Sequence, residues 1–220
     1  MLRLFILSIV TLLLTQCNER DSRATSKDCI SLNDSATGYS NMFNTSHDTA
    51  TLILAINYGE QAIQCDTNFT QAYSNLLFLH LQKRDSAKAM WCVNKLLTLT
   101  NYSYNTYFLK AETLNSLGYE DSAASIYTLV YNKLFYELSV ADTLDFEKMQ
   151  IYSLCDMYLN GKEHAMNSVD SCAHVYKINN DDPWVLALKE IILSYNNRSD
   201  STNSEFRRDS VTLSLTKPKN

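Results

Sequence analysis

The sequence predicts an all-α fold in which antiparallel helix pairs stack one on the next and a last helix closes the array. Three observations carry that prediction. The 220 residues hold four glycines and two prolines, where ordinary usage would give about fifteen and about eleven. Sheets draw on Gly, Pro, Asn and Asp for their hairpin turns, and phosphate loops need glycine for close backbone approach, so both are hard to build from this chain. Offsetting the chain by 34 residues aligns Ala55, Ala89 and Ala123 in one column, Tyr39, Tyr73 and Tyr107 in a second, and Ala62, Leu96 and Val130 in a third. A fixed period of this length marks a repeated supersecondary unit. Finally, 45% hydrophobic and 11% aromatic content supplies an ordinary core.

The elements follow in chain order. Residues 1–16 carry Arg3 ahead of an apolar run over 4–14, the pattern of a secretory signal and too short for a spanning helix of about twenty residues. Residues 17–35 read as a polar tether and 36–196 as the helical domain. Repeats are expected at about 36–69, 70–103 and 104–137. Beyond Leu134 the offset fails, because the next alanine column falls on Met157; an insertion near 135–145 shifts the register. A further pair is then expected over 146–178, with Gly161 in its turn and Ala165, Val169 and Cys172 on its second helix. Asp182 followed by Pro183 is an N-cap and first-position proline, which starts a capping helix over 183–196. Residues 197–220 are rich in Ser, Thr, Asn and basic residues and read as a disordered tail.

Two resemblances add to this reading. Tyr73 and Tyr107 at the bulky position of a first helix, Leu77 and Ala111 at its close-contact position, and Ala89 and Ala123 in the second helix resemble the tetratricopeptide repeat (TPR). Gly118 in the turn and Tyr127 match its pattern once each, whereas the repeat-closing proline is replaced by Thr67 and Asn101. The resemblance implies a short right-handed solenoid. Leu14-Thr15-Gln16-Cys17 resembles the lipobox of bacterial lipoproteins, with Gln16 departing from the usual small residue. It implies acylation of Cys17 and a location in the bacterial cell envelope, anchored at the outer membrane, on either its periplasmic or its surface face.

Charge and motifs exclude several classes. Nineteen basic against twenty-four acidic residues, with no basic cluster, argue against nucleic-acid binding. Four scattered glycines leave no nucleotide loop, and no GxSxG, HExxH or CxxC is present. No catalytic residue, metal site or cofactor is expected, and the chain does not read as an enzyme. His164, His174, Cys155 and Cys172 in the last hairpin are the nearest thing to a ligand set, and they suit buried thiols and wet histidines better. Cys155 and Cys172 could face each other across that hairpin or be small buried residues. Asp followed by Ser or Thr and a small or apolar residue recurs at 34–36, 48–50, 85–87, 121–123, 142–144 and 209–211. This resembles the O-glycosylation acceptor of Bacteroidetes envelope proteins; inside the domain, N-capping by Asp85, Asp121 and Asp142 accounts for it better.

In the TPR frame the first helices line a concave groove for a protein or peptide partner. The frame implies Gln71, Asn75, Phe78 and Gln82, with Ser74 between them, from one repeat, and Asn105, Phe108, Glu112 and Asn115 from the next. Amides suit an extended backbone, and Phe78 and Phe108 are expected as apolar anchors. Ser74, Asn105 and Leu109 are not basic, so the terminal-carboxylate clamp of the family's chaperone-tail readers is not expected. The sequence therefore points to a lipid-anchored envelope scaffold for protein–protein interaction. Its alternative is a surface lipoprotein that binds a glycan or host component.

Overall fold

The computed structural model describes residues 25–195; the expected signal, Cys17, the tail and the 209–211 motif lie outside them. The described chain is all-α, with nine helices: α1 Lys27–Ser46, α2 Thr49–Cys65, α3 Thr70–Lys83, α4 Ser86–Leu99, α5 Tyr104–Ser116, α6 Glu120–Val140, α7 Phe146–Asn160, α8 Lys162–Val175 and α9 Pro183–Ser194. The chain divides into two compact units, one ending at Ala123 and the other beginning at Ala124.

In the N-terminal unit each helix packs on its predecessor, and α1 also reaches α3. Thr70 and Tyr104 open α3 and α5, and Ser86 and Glu120 open α4 and α6, so both helix starts recur after 34 residues. Ala55, Ala89 and Ala123 are all buried, as are Ala62 and Leu96. Alanine in that column admits the neighbouring backbone, while Tyr73, buried on α3, fills the adjoining space against the Trp91 ring 5.6 Å away. Gly59 serves the same purpose between α2 and α3: a Cβ there would stand 2.9 Å from Leu76 Cγ.

Two features depart from expectation. α1 begins at Lys27, within the stretch expected to be a tether, and buries Cys29, Asn33, Ala36 and Phe43. Cys29 is bonded to Cys65 at the end of α2, with Cα atoms 5.5 Å apart, so a disulfide closes the open end of the first hairpin. Cys155 and Cys172 are both buried, and neither is in a disulfide.

In the C-terminal unit α8 packs on α7, and α9 covers α8 and touches α7. Tyr127 stacks on Tyr158 and Tyr131 on Tyr152, with centroids 4.3 and 4.8 Å apart. Such ring pairs add to the hydrophobic gain of burying them. α6 is 21 residues long against 14 for α4, and this extension takes up most of the insertion that breaks the period.

Capping explains the boundaries. Asp48 and Asp85 accept from Ala50 N and Lys88 N, Ser103 from Thr106 N, Asp145 from Lys148 N, and Asp182 from Trp184 N. Asp145 rather than Asp142 caps α7, and Asp121 lies inside the first turn of α6, so neither Asp121 nor Asp142 is the N-cap expected of it. Four helices end in a six-to-one bond, from Asp85 N to His80 O, Tyr102 N to Leu97 O, Tyr119 N to Leu114 O and Ile178 N to Ala173 O. Their left-handed residues are Arg84, Asn101, Gly118 and Lys177. Glycine ordinarily takes this position, so the glycine shortage is met here by placing ordinary residues in a costly conformation.

Candidate functional site

The amide-rich face of α3 is the first candidate. Gln71, Asn75, Phe78 and Gln82 recur at helical spacing and form its least buried stripe, since residues on both sides, including Tyr73, Ser74, Leu77 and Leu79, are core. Asn75 donates both Nδ2 hydrogens to α1, to Asn33 Oδ1 at 2.8 Å and Thr37 Oγ1 at 3.3 Å. Thr37 in turn donates to Asn33 O. About two turns further along, Gln82 Nε2 donates to Asn44 Oδ1 at 3.0 Å. The result is a two-rung amide ladder along the α1–α3 seam, with Phe78 half-buried between the rungs. Asn75 Oδ1 remains available to accept, and Gln82 Oε1 is buried without a partner among the described residues.

The α5 half of the expected groove needs correction. Phe108 is 1% exposed and belongs to the core, and Asn105 and Leu109 are buried as well. The period itself gives the reason: Phe108 lies 34 residues after Ser74, which is also buried, so that column faces inward in both helices. Glu112 and Asn115 are half-buried on α5. The α1 contribution of Asn33, Thr37 and Asn44 was missed, although its spacing of four and seven residues is a polar helix stripe; those residues lie at the margin where the period fades.

A second polar constellation lies between α7 and α8. Asp156 has no exposed surface. Its carboxylate accepts from Asn160 Nδ2 at 2.7 Å, from His164 Nδ1 at 2.8 Å and from Ser168 Oγ at 2.6 Å. Asp156 and Asn160 are one turn apart on α7, and His164 and Ser168 one turn apart on α8, so Gly161 between the helices brings two i,i+4 pairs face to face. Both Ser168 and His164 address the carboxylate. Nucleophilic catalysis instead needs the base on the hydroxyl and the acid behind the base, so this arrangement clamps the hairpin. The neighbouring Tyr152 donates to Tyr131 at 3.2 Å, and burial raises both phenols above their ordinary pKa. On the same helix Gln150 Nε2 and Ser153 Oγ are buried without partners among the described residues.

Burial pushes the Cys92 thiol up to about 12 and Cys172 up to about 11, far from the thiolate that nucleophiles and metal ligands require. Among the described residues no group of three His, Cys, Asp or Glu side chains could hold a metal, and no helix is long and apolar enough to cross a membrane. Of the Asp-Ser/Thr motifs, those at Asp48 and Asp85 are occupied in capping, and Ser35 Oγ donates to Ser31 O within α1. Comparison with protein-family models finds no match, and comparison with curated proteins finds no significantly similar sequence.

Proposed function

We propose that this chain is an exported, lipid-anchored TPR-like scaffold that binds an extended polypeptide segment along the α1–α3 seam. The amide ladder carries the reading. Asn75 and Gln82 are held in fixed orientation by Asn33, Thr37 and Asn44, and Asn75 keeps its Oδ1 as an acceptor beside the half-buried Phe78 ring. Preorganised amides beside an apolar anchor suit a peptide backbone, because little side-chain freedom is left to lose on binding. The Cys29–Cys65 disulfide supports export, since such bonds persist in oxidising compartments. The apolar run ahead of Cys17 supports acyl anchoring at the outer membrane. The chain is read as a binding protein rather than an enzyme, because Ser168 and His164 share one carboxylate instead of bonding each other.

A photo-crosslinking amino acid at position 78, compared with one at the exposed position 53, tests the seam in intact cells. The expected result is a discrete adduct from 78 that disappears when Asn75→Ala is added, with none from 53. Equal adducts from both positions would overturn the groove. Incorporation of a clickable fatty acid that survives Cys17→Ser would overturn the anchor.

A further inference from the structure

At one pole of the C-terminal unit four helix ends converge. The Tyr176 hydroxyl donates to Leu138 O at 2.6 Å and reaches Ala141 O, joining the ends of α8 and α6. Lys148 bonds Glu137 at 2.9 Å, joining the start of α7 to α6. Phe146 meets Trp184 edge to face at 4.6 Å, joining the starts of α7 and α9.

That pole leaves large apolar side chains in solvent. Tyr136 is 67% exposed, Val140 59% and Phe146 44%, and Leu144, Ile178 and Trp184, from the same helix ends and connections, are half-buried. Exposed apolar groups gathered on one surface, unlike single scattered ones, mark a contact site. Segments 136–148 and 177–184 surround the patch with six carboxylates and two lysines, a net charge of −4. Lys148 is already engaged by Glu137 and Asp145, which leaves Lys177 as the other basic residue of these segments.

We propose that this pole docks a cationic amphipathic segment of a partner protein. Its apolar face would cover Tyr136, Val140 and Phe146, and its Lys or Arg residues would face Asp142, Asp181 and their neighbours. The charge selects this occupant. A second copy would set −4 against −4, and an anionic lipid surface would meet the same repulsion, whereas a basic segment gains attraction at the rim and burial at the centre. The site belongs to the C-terminal unit and the α1–α3 seam to the N-terminal one, and the proposal does not depend on that seam.

The test uses the full chain with Trp91→Phe, so that Trp184 is the sole tryptophan. The probes are an 18-residue amphipathic peptide of Lys and Leu and its Glu/Leu counterpart of the same pattern, titrated by fluorescence and calorimetry. The Lys/Leu peptide is expected to bind one per chain, perturb Trp184 and weaken several-fold between 50 and 300 mM salt. Tyr136→Ser/Val140→Ser should weaken it at least tenfold and Asp142→Asn/Asp181→Asn several-fold, while Ile53→Ser/Leu54→Ser leaves it unchanged. All six positions are solvent-exposed, so these variants retain the core. Equal binding of the Glu/Leu peptide, indifference to the pole substitutions, or preferential binding of phosphatidylglycerol vesicles would overturn the proposal. Self-association abolished by Tyr136→Ser would overturn it in favour of a second copy.

Discussion

Replacing Cys29 and Cys65 by serine removes the only cross-link among the described residues and tests what holds the first hairpin. The two cysteines are 36 positions apart. Closing a loop of that length in the unfolded chain lowers its entropy enough to stabilise the fold by about 4 kcal/mol. With a urea slope of about 2 kcal/mol/M, the transition midpoint is expected to fall by about 2 M. Trp91 lies in the N-terminal unit and Trp184 in the C-terminal one, so single-tryptophan variants report the two units separately. The shift should appear through Trp91 and be small through Trp184. Under reducing agent the wild type should match the double variant. With Cys17→Ser, thiol titration of unfolded, unreduced chain should count three free thiols, and five after reduction. Five thiols before reduction would refute the bond itself. An unchanged midpoint would refute its role as a clamp and leave the α1–α2 side-chain packing to hold the hairpin alone.

Three further outcomes follow from particular contacts. Gly59→Ala should destabilise by about 1 kcal/mol, because overpacking against buried Leu76 outweighs the better helix propensity of alanine; thermal unfolding of Gly59→Ala/Leu76→Ala should then show a non-additive rescue. Arg84→Gly should raise stability by up to about 1 kcal/mol and Gly118→Ala lower it by a similar amount, since both occupy the left-handed end of a helix; opposite signs in denaturant titrations check this. His80 is buried with Nδ1 unpartnered, and burial, then Lys88, lowers its pKa from the ordinary 6.5, partly countered by Asp85 and Glu60. The unfolded chain therefore takes up the proton first. Stability from this group is complete above about pH 6.5 and falls as pH drops below it, by at most about 1.4 kcal/mol per unit. His80→Leu should flatten that acid limb in pH-dependent unfolding, and an unaltered slope would show that other groups carry it.

The part of the fold legible from residues was the part with short-range causes. Ala89 and Ala123, with Leu77 and Ala111, sit where the 34-residue period and helical spacing put them, because a packing column needs the same residue size in every pair. Asp85 and Asp182 start helices through bonds to amides two or three residues away, again a local matter. Phe108 was misjudged because a large aromatic on a first helix suits an anchor and a core equally well; only its covered surroundings distinguish them. The start of α1, residues 27–35, was expected as tether because its Ser, Asn and Asp content resembles one, and what makes α1 a helix from Lys27 is burial of Cys29, Ala36 and Phe43 against the rest of its unit.

By itself, then, the sequence determined an all-α chain of paired helices, through a scarcity of turn-forming glycine and proline, a fixed period and well-placed caps. Tertiary structure decided which groups meet. The partner of Cys29 lies 36 residues away, the acceptors for Asn75 and Gln82 lie about 40 residues upstream, and Asp156 gains His164 and Ser168 from the facing helix. Such contacts depend on how one helix rotates against another, and that rotation is set by the summed packing of many side chains rather than by the residues that come to touch.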